Sequence, residues 1–204
     1  MGTQARKGRE KEQRKHLIRA CAKDIFRRKG FSGTTIRDIA VASELATGTI
    51  YLYYRDKNEL LADLLVEGHE LLIGKLEAIV AGEPSPGQLE KLIDVFFEFA
   101  TGYPEYFELM FFVVQREGHG ILEVVPRESP TYSRLQQQQQ QCLLLASQAI
   151  RARNPAMCDR EIFLSSEAAW SMLAGVVHFF RKEGTEMFGA ISLQAKKMLM
   201  QYFE

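Results

Sequence analysis

The chain has 204 residues, of which 46% are apolar and 25% charged, so it can build the hydrophobic core of one or two globular domains. No apolar run approaches the roughly 20 residues of a membrane span, and the three cysteines form neither a CxxC metal pair nor an even set for disulfides. These features argue against a membrane-spanning protein and a disulfide framework, and we expect a cytoplasmic protein without a membrane partner.

The net charge of zero conceals a strong asymmetry along the chain. Residues 1–57 hold 14 Lys and Arg against 6 Asp and Glu, a balance of +8, whereas the remaining residues hold 12 against 20, a balance of −8. A polyanion would therefore be attracted to the N-terminal part and repelled by the rest.

The first predicted element is a helix from about Glu10 to Lys29, because apolar side chains recur there at three- and four-residue spacing and Gly30 follows. Thr35 and Asp38 then form a capping-box pattern at the start of a short second helix. Ser43-Glu44-Leu45 is predicted to be a tight turn, followed by a second short helix from Ala46 to about Tyr53.

Two short helices joined by a three-residue turn and braced by a longer helix make a helix-turn-helix pattern. Asp56 can cap a fourth helix that runs to about Val80, where the sequence AGEPSPG breaks it. We expect the boundary between a small N-terminal domain and a larger one to lie along this helix, near Asp56–Leu65.

Beyond the break, the sequence predicts five further helices and no strand. GHGILEVVPRESP reads as an irregular connection, and the glutamine run 136–141 as a wetted helix face. The predicted fold class is therefore all-α, with about nine helices in total. The five helices are Gln88–Thr101, Glu105–Gln115, Tyr132–Arg153, Asp159–Lys182 and Met187–Phe203.

The segment Phe26–Leu61, FRRKGFSGTTIRDIAVASELATGTIYLYYRDKNELL, resembles the N-terminal signature of TetR-family transcriptional regulators. The resemblance implies a helix-turn-helix domain at residues 1–57 and a helical effector-binding and dimerisation domain at residues 58–204. Glu44 stands where the family usually has glycine. If that residue is left-handed, its side chain carries strain on the order of 1 kcal/mol.

The tyrosines and cations of this segment suit contact with DNA. In a helix-turn-helix, the start of the second helix enters the major groove, where threonines approach base edges, a glycine permits close approach, and tyrosine hydroxyls and lysine reach phosphates. We expect Tyr54 to turn into the domain core instead. The first residues, including Arg6 and Lys11, could form a flexible arm along the backbone or in the minor groove. The predicted DNA-binding residues are Arg37, Thr47, Gly48, Thr49, Tyr51, Tyr53 and Lys57; any single tyrosine could equally be core or surface, and Arg37 could pair with Asp38.

Two further sites are predicted in the larger domain. An apolar effector pocket would use the aromatic-rich stretch, although the same density suits a plain core; its predicted residues are Phe99, Tyr103, Phe107, Met110, Phe111 and Trp170. A homodimer interface would use the last two long helices, although these side chains could instead pack on their own subunit; its predicted residues are Leu173, Val177, Phe180 and Leu199.

Catalysis is not indicated by any motif. His16, His69, His119 and His178 are scattered without HExxH spacing, and the sequence has no GxSxG elbow or glycine-rich phosphate loop. We expect no metal and no cofactor. The predicted function is a DNA-binding regulator, by resemblance a repressor, released from a palindromic double-stranded operator by a small apolar effector. The alternative is a helix-turn-helix regulator controlled by a protein partner without a small effector.

Overall fold

A computed structural model describes residues 3–113, 125–181 and 185–204, and all regular structure in these ranges is helical. The all-α prediction is therefore confirmed, with nine α-helices among the described residues. Their bounds are α1 Thr3–Lys29, α2 Ile36–Ala42, α3 Thr47–Tyr51, α4 Lys57–Val80, α5 Gln88–Gly102, α6 Pro104–Glu108, α7 Pro130–Arg153, α8 Asp159–Phe180 and α9 Thr185–Tyr202.

The chain forms two compact units. The first comprises the residues up to Gly68 together with Glu105–Leu135, and the second comprises His69–Pro104 and Gln136–Glu204. Helix α4 contributes residues to both. The functional division at residue 57 that the sequence suggested stays a prediction.

Helix α1 is longer than predicted, because it begins at Thr3 rather than near Glu10. The first residues are therefore helical and do not form the flexible arm that the sequence suggested. At its other end Gly30 has φ 75°, and its N–H donates to the carbonyl of Phe26 at 2.9 Å, which confirms the predicted helix end. The left-handed conformation explains the choice of glycine at this position.

Helices α2 and α3 form the predicted helix-turn-helix. The Thr35 hydroxyl accepts the N–H of Asp38 at 3.1 Å, and the Asp38 carboxylate accepts the N–H of Thr35 at 2.8 Å, so the capping box is complete. Ser43 ends α2, and Glu44 follows with φ 55°. The turn is thus left-handed at a residue that carries a side chain, as the comparison with glycine had anticipated.

The first unit closes its core around α4 and α6. Gly68 is buried there, and a Cβ at this position would lie 2.8 Å from the sulfur of Met110 and 3.0 Å from the ring of Tyr106. The predicted helix 105–115 continues beyond Glu108, but Leu109–Val113 is π-helical rather than α-helical. The apolar spacing suits either helix type and so did not reveal the difference. Residues 114–124, which include His119, lie outside the described residues.

The second unit packs α5, α8 and α9 together with α7 and the later part of α4 around an apolar core. Lys196 on α9 forms ion pairs with two carboxylates of α5. Its ammonium lies 2.8 Å from the Asp94 carboxylate and 3.2 Å from that of Glu90. Arg181, just after α8, donates to the carbonyl of Ala100 at 3.1 Å. These contacts fix the two C-terminal helices against α5.

Helix α8 has the length and apolar composition of a membrane span, and 33% of its most apolar stretch is buried within the protein. The core helix of a globular bundle meets the same criterion. Here α8 packs along α9 and carries Asp159 and Glu161 in its first turn.

The strain at Glu44 gives a direct prediction for stability. The Glu44→Gly variant is expected to be more stable than the Glu44→Ala variant by about 1 kcal/mol in free energy of unfolding. Alanine keeps a Cβ, which is strained in the left-handed conformation, and glycine has none. Urea unfolding measures the difference. As a control, Ala20→Gly on the exposed face of α1 should instead cost roughly 1 kcal/mol. Equal stabilities of the two Glu44 variants would contradict a left-handed turn.

Candidate functional site

Helix α3 presents one face to solvent and one to the domain core. Ile50 is fully buried, whereas Thr47 and Gly48 are exposed and Tyr51 is 54% exposed. A Cβ at Gly48 would meet nothing within 4 Å, so the protein itself does not require glycine there. The predicted contact residues at the start of α3 are thus brought together on one accessible surface, with Thr49 half-buried beside them.

Tyr54 anchors the end of this helix-turn-helix, as predicted from the sequence. The ring is 2% exposed, and its hydroxyl donates to the carboxylate of Asp63 on α4 at 2.7 Å. Burial, followed by this hydrogen bond, raises the pKa of Tyr54. Burial alone would raise the pKa of Asp63, but the Tyr54 hydroxyl and the cations of Lys15 and Arg19 hold it below its usual value. The result is a half-buried ionic cluster linking α1, the end of the helix-turn-helix and α4.

Lys57 has a role inside the domain that the sequence did not indicate. Its ammonium donates to the carbonyls of Phe31 at 2.8 Å and Thr34 at 3.1 Å, and it lies 4.3 Å from the centre of the Phe31 ring. Two of its three N–H donors are therefore used to hold the loop before α2. A substitution of Lys57 would disturb this loop as well as any phosphate contact.

Arg37 is exposed on α2, and the ion pair with Asp38 that the sequence left open is not formed. Asp38 instead accepts from Lys29 at 2.8 Å and from the hydroxyl of Thr35 at 2.7 Å. These hydrogen bonds lower the pKa of Asp38. The guanidinium of Arg37 thus remains available to an external partner.

A groove beside α3 was missed by the sequence reasoning. It has a volume of about 300 Å³ and lies between the N-terminal part of α1 and the two residues after α3, Leu52 and Tyr53. Its α1 side carries Lys7, Glu10, Lys11 and Arg14. The spacing of 7, 11 and 14 was the available signal, because it puts three cations on one helical face.

The second unit contains an apolar cavity of about 40 Å³. Of the six predicted pocket residues, Trp170 lines it, with its ring 5.0 Å from that of Phe96. The other five do not line this cavity. Phe99, Phe107 and Met110 are buried in the cores, while the half-buried Tyr103 and Phe111 stack on Phe99 at 5.5 Å and on Phe107 at 4.6 Å. The remaining lining is Leu76, Leu89, Leu92, Ile93, Ala146, Ile150, Ser166, Ala169, Leu173, Leu199 and Phe203.

The predicted dimer residues are largely used by the chain itself. Leu173, Val177 and Leu199 are buried within the second unit, and Phe180 is half-buried. The same two helices instead enclose an open groove of about 470 Å³, which shares the wall residues Ala169, Leu199 and Phe203 with the cavity. The large exposed apolar side chains of α8 and α9 are Phe163, Leu164, Phe179, Met187, Leu193, Met198 and Tyr202.

The described residues offer no group of three or more His, Cys, Asp or Glu that could hold a metal ion. All three cysteines are free thiols. Burial raises the pKa of Cys142 to about 12, so its sulfur stays protonated at neutral pH.

The N-terminal part of the chain is similar to known regulatory proteins. Residues 18–64 match the family model described as bacterial regulatory proteins, tetR family. The transcriptional repressor KstR2 of Mycolicibacterium smegmatis is 30% identical over 84 residues, 41% of this chain and 40% of that repressor. The chain spans 33% and 40% of the length of the first two curated relatives that it matches.

Solved structures match over nearly the whole chain and extend the similarity of fold. A TetR-family transcriptional regulator from Bordetella parapertussis has a TM-score of 0.76 at 19% identity, covering 91% of this chain and 93% of that one. FadR of Bacillus subtilis, in complex with stearoyl-CoA, has a TM-score of 0.69 at 15% identity, covering 91% and 97%. At these identities the likeness concerns the fold.

Two tyrosines of the site should separate stability from binding. Tyr54→Phe is expected to lower the free energy of unfolding by about 1–3 kcal/mol, because it removes a hydrogen bond to the charged, half-buried Asp63 carboxylate. Tyr51→Phe, which removes an exposed hydroxyl, should change stability by less than about 0.5 kcal/mol. It should weaken binding to operator and random DNA about equally, if the hydroxyl meets a phosphate. Urea unfolding and fluorescence anisotropy measure the two effects, and a reversed order in stability would contradict the placement of these rings.

Proposed function

We propose that this chain is a sequence-specific DNA-binding regulator of transcription, because residues 18–64 match the family model of bacterial regulatory proteins, tetR family. The observation that carries the proposal is the exposed face of α3, held from behind by the buried Ile50 and Tyr54. A surface of short polar side chains on a rigidly anchored helix suits entry into the major groove. The surplus of cations in residues 1–57 favours the approach of DNA.

Arg37 of α2 and the residues on the exposed face of α3 are proposed to have distinct tasks. Thr47 and Thr49 offer a hydroxyl and a methyl group to base edges or phosphates, and Gly48 admits close approach of the duplex. Arg37 is the candidate for a two-pronged hydrogen bond to guanine, since its guanidinium has no ion pair among the described side chains. Tyr51 reaches outward to a phosphate oxygen.

The regulator is proposed to act as a homodimer on a palindromic operator. One helix-turn-helix makes few base contacts, and a two-fold dimer doubles them on half-sites about 34–36 Å apart or at multiples of that distance. The exposed apolar side chains of α8 and α9 supply a surface that gains from being covered. This shifts the proposed interface from the buried Leu173, Val177 and Leu199 to their exposed neighbours on the same helices, such as Leu164 and Met198.

Repression relieved by a small apolar effector is the proposed mode of control. The printed names of similar proteins support it, since one is a repressor and another is a structure with stearoyl-CoA. The cavity beside Trp170 is lined almost wholly by apolar groups. Its 40 Å³ is far below the roughly 300–1,000 Å³ of a ligand pocket, so an effector must enlarge it.

Enlargement would have consequences beyond the cavity. The wall residues Leu199 and Phe203 also line the groove of α8 and α9, so their displacement would alter the proposed dimer surface. Helix α4 contributes Leu76 to the cavity and Asp63 to the hydrogen bond with Tyr54. A shift of α4 is therefore the proposed link between effector and DNA, through different affinities for two states of the dimer.

Control by a protein partner is the second candidate. The small cavity and the larger open groove of α8 and α9 are the observations that favour it. In that case a partner segment would occupy the groove, and small apolar molecules would leave both stability and DNA binding unchanged.

Selection of bound sites from random duplexes tests the central proposal. The expected result is a two-fold symmetric site whose half-sites are one helical turn or a multiple apart. Failure to retain any duplex, even in dilute salt, would overturn the proposal, and recovery of only single half-sites would remove the dimer from it.

Gly48→Ala tests whether DNA approaches the backbone of α3. The protein leaves open space for the new methyl group, and alanine favours helix, so the fold should be unchanged or stabilised by up to about 1 kcal/mol. Affinity for the selected site should nevertheless fall at least tenfold. The matched control Ala42→Ser changes an exposed residue on α2 and should alter affinity by less than threefold. Unchanged affinity of Gly48→Ala would show that DNA does not come close to residue 48.

Ala146→Phe tests whether an effector uses the cavity, because it fills the space from α7. A thermal-shift panel would contain lauric acid, stearoyl-CoA and a steroid. A ligand at 100 times its dissociation constant stabilises by about 2.7 kcal/mol, which raises Tm by roughly 5–10 °C in a chain of this size. The shift should occur in the wild type and in the matched exposed variant Ala78→Phe, and vanish in Ala146→Phe. A shift that persists in Ala146→Phe would place the ligand elsewhere.

A further inference from the structure

The N-terminal part of α1 extends well beyond the core that the helix helps to build. Ile18 is the first buried side chain among those described in α1, although the helix begins at Thr3. At 1.5 Å per residue, the intervening helix is about 22 Å long. Every described side chain from Ala5 to Arg14 is exposed. A helix that is polar on all sides gains nothing from the core, so this segment is free to present its side chains to an outside partner.

The cations of α1 divide into two groups. Towards the C-terminal end they are paired within the protein: Arg19 with Asp63 and Glu67, Arg27 with Asp24, and Lys29 with Asp38. Towards the N-terminal end, Arg6 pairs with Glu10 at 2.9 Å. By contrast, Lys7, Lys11 and Arg14 have no ion pair or hydrogen bond with the side chains that the structure describes.

These three cations lie on one face of the helix, and that face borders the groove of about 300 Å³ described above. From residue 7 to residue 14 the helix rises about 10 Å, so the three cations form a row along it. The opposite wall is the exposed apolar side chain of Leu52, 79% accessible, and the half-buried ring of Tyr53. A row of cations facing an apolar and an aromatic side chain suits a sugar-phosphate backbone.

The helical form of this segment also decides which part of a duplex it can meet. An α-helix with its side chains is about 10 Å across or more, whereas the minor groove of B-DNA is about 6 Å wide. The segment therefore cannot thread into the minor groove as an extended arm would. It can lie along the outside of a strand.

We propose that Lys7, Lys11 and Arg14 of α1, together with Leu52 and Tyr53, form a backbone clamp that holds one DNA strand beside the groove entered by α3. The clamp rests on the proposed function and adds to it a second contact element, separate from α3. Leu52 and Tyr53 follow α3 directly in the chain, so a strand in the clamp flanks the bases that α3 contacts. Because phosphates carry no sequence information, the clamp strengthens binding to every duplex alike.

The charges around the clamp are compatible with this occupant. Glu10 also lines the groove, and its carboxylate forms an ion pair with the guanidinium of Arg6, with Nε and Oε1 2.9 Å apart. An anionic membrane surface would also attract the cations. DNA is favoured because the groove opens beside α3 and its exposed threonine and glycine.

Salt dependence of DNA binding tests the clamp. The variant carries Lys7→Gln, Lys11→Gln and Arg14→Gln in the full chain, and the matched control removes three exposed cations of the second unit with Lys91→Gln, Arg160→Gln and Lys197→Gln. Both lose the same net charge. Fluorescence anisotropy measures the affinity for the selected site and for a random duplex of equal length at about 50–300 mM KCl. Salt weakens phosphate contacts over this range.

In the clamp variant, the slope of log affinity against log salt concentration should be smaller in magnitude by about 2.7. Each lost phosphate contact reduces the slope by about 0.9. The loss should be equal for both duplexes, and the sequence recovered by selection should stay the same. The control should keep the slope of the wild type. Circular dichroism and Tm should match in all three proteins, because the altered side chains are exposed.

A second pair of variants tests the helical geometry with the cations retained. Glu12→Pro breaks α1 between Lys11 and Arg14, because proline removes a helix hydrogen bond and disfavours helix at the preceding residue. Glu12→Ala removes the same charge and keeps the helix. Glu12→Pro should flatten the slope by about 2 relative to Glu12→Ala, as Lys7 and Lys11 lose their fixed positions.

The outcomes separate the clamp from the proposed function. If the wild type binds no duplex in dilute salt, the proposed function fails and the clamp with it. If it binds a symmetric site but the clamp variant keeps the slope of the wild type, or Glu12→Pro equals Glu12→Ala, the clamp alone is overturned. Loss of sequence preference in the clamp variant would instead make these cations base readers. Binding to phosphatidylglycerol vesicles that the clamp variant loses, with an unchanged slope on DNA, would assign the cations to a membrane.

Discussion

The hydrogen bond from Tyr54 to Asp63 is the interaction on which the candidate site depends. Helix α3 has five residues, too few to be stable or oriented by itself. Its position is therefore set by Ile50 in the core and by Tyr54, whose hydroxyl reaches the Asp63 carboxylate on α4 at 2.7 Å. Arg19 brings α1 to the same carboxylate at 3.3 Å. A half-buried carboxylate that accepts from several donors is costly to leave unpaired, so this cluster holds α1, α4 and the segment after α3 in one arrangement.

Charge in the first unit is used in two ways. Most cations of its helices are neutralised by nearby carboxylates or, as with Lys57, by backbone carbonyls, and these contacts build the domain. Arg37 and the groove-facing cations of α1 have no ion pair among the described side chains. The charge surplus of residues 1–57 therefore overstates the cationic surface open to an outside polyanion, because only part of it is free of internal pairing.

The second unit combines a nearly filled core with an incompletely covered surface. Its cavity of 40 Å³ leaves little room, and the lining of Leu199 and Phe203 separates it from the groove of α8 and α9. Packed interiors do not deform continuously, so enlargement of such a cavity requires a discrete shift of its walls. The same side chains would then carry the change to the surface, which is a physical basis for coupling a buried ligand to assembly.

The sequence by itself determined the all-α fold and the helix-turn-helix, because apolar spacing, the Thr35–Asp38 capping box and Gly30 are local signals that read directly as helices and their ends. It also identified Tyr54 as a core residue. Only the tertiary structure decided that Lys57 holds carbonyls of Phe31 and Thr34, that Leu173 and Leu199 serve the chain's own core, and that α1 borders a groove beside Tyr53. The reason is that these roles depend on residues distant along the chain, and an apolar or cationic side chain has the same local pattern whether its partner lies inside the protein or beyond it.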